Sequence, residues 1–291
     1  MFSYIGGKSQ IGKWIKDYIP NDIKTYVEPF SGAYWVYFNL DISEFQKLEK
    51  VVYNDFNPVN VNLFNCLKTP EKFYEFIKNE ECQFKSDDLK GQPSKEYLSE
   101  KFKTYQKSAF SGKYTFNKDN PNFQWGLEYA YVITQVFSGS KPEKSNYIDL
   151  KHAYRSKFDT FRDKVGGIGR GKKYPGMLKR MTSIENLDFE EVVNKYDSND
   201  TYFYFDPPYW KTENYYSNHD FDRKDHERLA KCLKECKGKW SLSYYYFDLL
   251  EEWFPKDEYT WVSKEFSKAA SATKGQTQNK GEELLIMNYE L

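Results

Sequence analysis

The stretch that most constrains this chain is Thr201-Tyr-Phe-Tyr-Phe-Asp-Pro-Pro-Tyr209. Residues 201–205 join a β-branched residue to four aromatics, the composition of a buried strand. Pro207 and Pro208 cannot donate to a ladder, so the strand must end there. Asp206 precedes a proline and is pushed toward extended rather than helical backbone. In an open α/β sheet such a strand end is where ligands sit. An acceptor, stiff carbonyls and a ring at one edge suit the grip of a flat heterocycle that carries an amino group. Asp and Pro also form ordinary turns, so the four residues alone leave a plain surface turn open.

The flanking chain reads as α/β. Residues 25–28 form a short strand ending at Pro29, and Phe30-Ser31-Gly32-Ala33 makes a small-residue turn. A helix is expected next, with Trp35, Val36, Phe38 and Asn39 inside it. Residues 51–53 are a second strand ending at Asn54-Asp55, followed by a helix over 58–67. Strand, turn, helix, strand and acid open a nucleotide-type βαβ unit. From 69 to 182 the character changes to charged helices, an aromatic loop-rich stretch and further helices, and this region reads as a mostly helical insert. It divides the chain into a catalytic part, 1–68 and 183–291, and an insert, 69–182. The α/β pattern resumes with strands near 183–187, 202–205, 240–246, 259–262 and 284–289. A helix follows Asp222, with Asp225 in its first turn.

Composition excludes little. Lys+Arg and Asp+Glu are equal at 43 each, so any nucleic-acid binding must come from local patches. No apolar run approaches the roughly 20 residues of a membrane span, and the N-terminus lacks the zones of a signal peptide. Four cysteines, two of them Cys232 and Cys236 on one helix with few histidines nearby, read as buried thiols rather than a zinc site. A reducing cytoplasm fits, and no metal is called for.

Five segments stand in a fixed order: Tyr4-Ile-Gly-Gly-Lys8, Glu28-Pro-Phe-Ser-Gly32, Asn54-Asp55, Asp188-Phe189 and Asp206-Pro-Pro-Tyr209. In that order, with a basic insert ahead of the last, the chain resembles the Dam-type (group α) DNA adenine-N6 methyltransferases over nearly its whole length. The resemblance implies a Rossmann-like sheet that binds S-adenosylmethionine, with the insert recognising the DNA target. It implies that Glu28, Pro29, Phe30, Ser31 and Gly32 hold the methionine part of the cofactor. Asp55 would take the ribose hydroxyls, and Asp188 with the Phe189 backbone would read its adenine. Tyr4, Gly6, Gly7 and Lys8 match the N-terminal motif that folds back on the cofactor and the catalytic strand. Gly6-Gly7-Lys8 is not a phosphate-binding loop, since the preceding strand and longer glycine spacing are missing. Tyr34 stands where the family usually has a second glycine; its bulk either narrows the cofactor site or lies outside it.

The chemistry expected of such a site is positional. Asp206 and the Pro207 carbonyl would accept the two N–H bonds of the adenine amino group, freeing its lone pair. Pro208 stiffens the loop and Tyr209 would stack on the ring. No Pro-Cys nucleophile of a cytosine-C5 enzyme is present. The target amino group is paired inside a duplex, so the base must be flipped out at a cost of a few kcal/mol. Lys164, Arg170, Lys172, Lys173, Lys179 and Arg180, a run with no acid, and Lys268 and Lys274 in a later polar loop are the candidate double-stranded DNA contacts. A solvated surface run is the alternative. A methyltransferase acting on RNA adenine or a protein amide, and an idle DNA- or cofactor-binding module, also stay open. A cognate restriction endonuclease, a solitary role or protection of a viral genome are equally compatible with these residues, as is association with the nucleoid.

Overall fold

The structure is a computed structural model that describes residues 2, 7–80, 95–136, 141–146, 157–210, 221–267 and 280–291. Tyr4, Gly6, Lys268 and Lys274 lie outside the described residues. In chain order the elements are α1 (Gly12–Ile15), β1 (Thr25–Glu28), β2 (Lys50–Asn54), α2 (Pro58–Leu67), α3 (Pro70–Ile77), α4 (Lys95–Ala109), α5 (Phe123–Thr134), α6 (Lys157–Val165), α7 (Tyr174–Lys179), β3 (Ser183–Glu185), α8 (Phe189–Tyr196), β4 (Thr201–Phe205), α9 (Arg223–Glu235), β5 (Lys239–Tyr244), α10 (Leu249–Trp253), β6 (Thr260–Ser267) and β7 (Lys280–Met287). The chain is mixed α/β and divides into two compact units, Met1–Gly7 with Asn57–Asn186 and Lys8–Phe56 with Leu187–Leu291.

The second unit carries a sheet in the order β2-β1-β4-β5-β7-β6. β2, β1, β4 and β5 run parallel, and β7 is antiparallel to both β5 and β6. From β1 the chain moves outward to β2, whereas from β4 it moves the other way to β5. The carboxyl ends of β1 and β4 therefore flank a topological switch point, the position where open α/β sheets hold ligands. The alternation of β4 sorts its side chains by face. Phe203 and Phe205 enter a core with Val27, Val52, Leu229, Trp240, Leu242 and Ile286. Tyr202 and Tyr204 point the other way, where their hydroxyls meet Ser241 and Ser243 of β5. These bonds explain two fully buried serines in β5, since a buried hydroxyl needs a partner.

The helix expected around Trp35 to Asn39 is a single 3₁₀ turn, Tyr37–Asn39. Tyr34 sits in left-handed backbone, φ 59°, and so cannot start a right-handed helix. Its ring is fully buried, stacked on Tyr37 at 4.6 Å and edge-on to Tyr53 at 5.2 Å. Its hydroxyl donates to the Val52 carbonyl at 3.1 Å. The bulky substitute for the second glycine thus fills the core beneath the strands.

The first unit is mostly helical. Helix α2, capped by the Asn57 side chain on the Val59 N–H, packs with α5. Asn62 exchanges hydrogen bonds with the Asn122 backbone, and Asn65 donates to the carbonyls of Asn117 and Lys118. The compact division consequently falls at 57 and 186, and α2 groups with the helical segment. Among the described residues, no helix is long and apolar enough to cross a membrane.

Candidate active site

The turn after β1 is tied to the end of β2. The Ser31 N–H donates to the Asn54 carbonyl at 2.9 Å, and the Asn54 N–H donates to Ser31 Oγ at 3.1 Å. The Gly32 N–H donates to Asp55 Oδ2 at 3.0 Å, and Gly32 has φ 49°, which glycine adopts without strain. Asn54 then reaches across. Its Nδ2 donates to the carbonyls of Pro29 and Leu187, while its Oδ1 accepts from the Leu187 N–H. One side chain so gathers the ends of β1 and β2 and the segment leading into Asp188. Glu28 is buried. Its Oε1 accepts from the Tyr26 hydroxyl at 2.6 Å and the Tyr37 N–H at 3.0 Å, and burial holds its carboxyl well above the usual range.

Asp188 caps α8, accepting from the Glu190 N–H at 3.0 Å. It also takes a bidentate pair from Arg228 of α9, at 2.8 and 2.9 Å. Arg228 bonds Glu190 and Asp225 as well, and its guanidinium lies 4.4 Å from the Phe189 ring centroid. Phe189 packs on Phe30 at 5.6 Å and on Phe221 at 6.1 Å. Asp55, Gly32, Phe30 and Asp188-Phe189 thus line one edge. They combine a close-approach turn, an acceptor at the end of β2 and aromatic faces, groups that could hold an adenosine-bearing cofactor, while both Asp188 oxygens are taken up by Arg228 and the Glu190 N–H.

At the end of β4, Asp206 meets Lys8 from the N-terminal motif. Lys8 Nζ stands 2.7 Å from Asp206 Oδ1, 2.7 Å from the Tyr209 hydroxyl oxygen and 3.3 Å from Glu283 Oε1 of β7. The Tyr209 hydroxyl donates to Glu283. Lys8 and Glu283 are 6% and 1% exposed and Asp206 is 18% exposed, so a buried ammonium stands between a buried and a partly exposed carboxylate. Burial raises the proton affinity of Asp206 and of Glu283, and the Lys8 charge opposes it in both. Pro207 and Pro208 are buried behind Asp206. The Tyr209 ring is stacked on Tyr244 at 5.2 Å and edge-on to Tyr245 at 4.5 Å. Tyr244 is in turn fixed by a hydroxyl bond to buried His226 Nδ1. Gly7 precedes Lys8 and is exposed.

Sequence reasoning did not single out Glu283, Arg228, Tyr244 or Tyr245, and gave Asn54 only as part of the Asn54-Asp55 segment, with no role of its own. A carboxylate inside the apolar run of β7 was a signal for Glu283. Period 2 alone does not say which of Glu282 and Glu283 turns inward; the packed structure does, with Glu283 1% exposed and Glu282 exposed.

In the first unit, Arg170, Lys172, Lys173, Lys179 and Arg180 are exposed. Lys179 is ion-paired with Glu71. Lys164 is half-buried over the Tyr174 ring, 5.5 Å from its centroid, and burial lowers its proton affinity. Two glycines of this segment have packing reasons of their own: a Cβ on Gly166 would sit 2.5 Å from the Tyr74 ring, and one on Gly171 2.6 Å from the Asp163 carbonyl oxygen. Cys232 is half-buried, its thiol pushed up to about 12 by burial.

Residues 4–269 match the family model of the D12 class N6 adenine-specific DNA methyltransferases. The chain is 27% identical to the Type II methyltransferase M.MjaIII of Methanocaldococcus jannaschii, over 98% of this chain and 97% of that protein. It is 23% identical to the Type II methyltransferase M.CviBI of Paramecium bursaria Chlorella virus NC1A, over 98% and 97%. It is 24% identical to the Type II methyltransferase M1.LlaDCHI of Lactococcus lactis subsp. cremoris, over 98% and 94%. The switch-point site and a match spanning most of the sequence agree: the chain belongs to the D12 class of N6 adenine-specific DNA methyltransferases.

Proposed function

We propose that the protein is a Dam-type enzyme that methylates adenine N6 at a specific site in duplex DNA, using S-adenosylmethionine, with the target base extruded into the Asp206 pocket. The observation that carries this reading is Asp206-Pro207-Pro208-Tyr209 at the carboxyl end of β4, beside the turn after β1. Phe30, Ser31, Gly32, Asp55, Asp188 and Phe189 would hold the cofactor, with Arg228 and Asn54 fixing their positions. When bound, the cofactor supplies an electrophilic methyl group on a cationic sulfur.

The chain's own residues prepare the nucleophile. Asp206 accepts one N–H of the adenine amino group and the Pro207 carbonyl accepts the other, which localises the nitrogen lone pair. Proline at 207 and 208 leaves that carbonyl little freedom to turn away. Tyr209 contributes a ring surface for the base, held by its hydroxyl bonds and by Tyr244. The methylated nitrogen must shed a proton. Asp206 is the acceptor in reach, and its burial favours taking it. Arg170, Lys172, Lys173 and Arg180 are the phosphate contacts proposed on the helical insert. The Type II names of the three relatives favour a role beside a cognate restriction endonuclease.

Tritium transfer from labelled S-adenosylmethionine to unmethylated duplex DNA, with product nucleosides separated, tests the reaction. Label in N6-methyladenine is expected, with none formed by Asp206→Ala at unchanged fold. Label on RNA or protein alone would move the assignment to those substrates, and an active Asp206→Ala protein would sink the mechanism.

A further inference from the structure

Glu283 is a buried carboxylate at the site, and the chemistry above uses it only to anchor the Tyr209 hydroxyl. It lies on β7, whose neighbour Leu284 pairs with Tyr244 at the end of β5. It is 1% exposed and touches two residues of the motif cluster, Lys8 and Tyr209. The Lys8 ammonium meanwhile occupies Oδ1 of Asp206, the carboxylate that an adenine amino group needs. A base that claims this oxygen displaces the ammonium. A buried cation stripped of its carboxylate is strongly disfavoured, so the base can enter only if Lys8 keeps a partner. Glu283 Oε1, 3.3 Å from Nζ, is such a partner, and the Tyr209 hydroxyl links the two, accepting from Nζ and donating to Glu283.

We propose that Glu283 is a positioning residue that takes over the Lys8 ammonium when the target amino group claims Asp206, so that Lys8 acts as a placeholder for the base. This rests on the adenine-methylation reading. A small shift of Nζ, from 2.7 Å at Asp206 toward the carboxylate already 3.3 Å away, accomplishes the exchange with the charge paired throughout. Both carboxylates have raised proton affinity from burial, consistent with a cluster that holds one cation between two acceptors.

The test is a double-mutant cycle of Glu283→Gln and Lys8→Met. Glutamine keeps an acceptor for the Tyr209 hydroxyl and removes the charge. Tritium transfer gives kcat and KM for a duplex carrying the adenine that the wild-type protein methylates. Fluorescence of 2-aminopurine placed next to that adenine reports extrusion of the adenine without turnover, and so covers an inactive Lys8→Met. Glu283→Gln is expected to lower kcat/KM and the extrusion equilibrium by about 10- to 100-fold, the range of one hydrogen bond to a charged group. In the Lys8→Met background the same substitution should cost nothing further, because no cation remains to be received. An equal loss in both backgrounds would show that Glu283 merely braces Tyr209, and no loss in either would show that it is idle; each overturns the exchange. If Glu283→Gln does not fold, Glu283→Asp, which withdraws the charge by one methylene, takes its place in the cycle. Wild-type protein that forms no labelled N6-methyladenine refutes the methylation reading itself and the exchange with it. An active wild type with an additive cycle refutes the exchange alone.

Discussion

Tyr34 offers a graded test of the backbone and core described above. Its φ of 59° carries a left-handed strain of about 1–2 kcal/mol for any residue with a Cβ. Its ring is fully buried against Tyr37, Tyr53 and Phe38. Removing such an aromatic side chain costs about 3–5 kcal/mol. Tyr34→Ala loses the ring and keeps the strain, so the full cost applies. Tyr34→Gly loses the ring, recovers the strain, and returns about 0.5–1 kcal/mol of that gain to the entropy of the unfolded chain. Its net cost is therefore about 3 kcal/mol. Tyr34→Phe loses the bond to the Val52 carbonyl, about 1 kcal/mol. Urea unfolding at unchanged m value should rank stability as wild type, Phe, Gly, Ala. Calorimetry should find S-adenosylmethionine affinity unchanged in Tyr34→Phe. A Gly variant as stable as wild type would mean that the ring is not packed. An Ala variant more stable than Gly would mean that residue 34 is not left-handed in solution.

Glu28 binds a proton more tightly when folded than its ordinary value of 4.5, chiefly because it is buried. The native state then holds more protons than the unfolded state as pH climbs above about 4.5, so this group's contribution to stability falls with rising pH. Glu28→Gln keeps the acceptor for Tyr26 and Tyr37 and should flatten that decline; urea midpoints at about pH 5 and about pH 8 that fall as steeply as in wild type would count against it. Asn54→Ala should cost about 2–4 kcal/mol, since three hydrogen bonds to Pro29 and Leu187 vanish, and should weaken cofactor binding measured by calorimetry. Replacing Lys172 and Lys173 together by alanine should lower DNA affinity and reduce the slope of log K against log salt by about 2. A salt titration identical to wild type would remove both residues from the interface.

The strand ends were legible before any coordinates. Thr201 to Phe205 followed by Asp-Pro-Pro, and residues 25–28 and 51–53 followed by a turn and an acid, are local patterns whose physics acts within a few residues. Proline stops a ladder wherever it falls, and alternating aromatics make a buried strand in most contexts. The capping acid at Asp222 was equally local: its side chain accepts from the Lys224 and Asp225 N–H groups. The helix expected near Trp35 failed because its pattern was apolar enough, but the backbone at Tyr34 is bent by where its ring must pack. Helix α2 satisfied every local rule for a helix, yet its asparagines found their partners 52 to 60 residues away.

By itself, then, the sequence determined the α/β class, the order of the motif segments and the place of Asp206 at a strand end, because each follows from short-range propensity and backbone covalency. The tertiary structure decided which charges meet. Lys8 and Tyr209 are 201 positions apart and Tyr209 and Glu283 are 74 apart, yet they share one buried cluster. Arg228 reaches back 40 positions to Asp188. Such pairings depend on strand order and ladder register, which no local pattern encodes, and on the cost of leaving a buried charge without a partner, which only the packed core imposes.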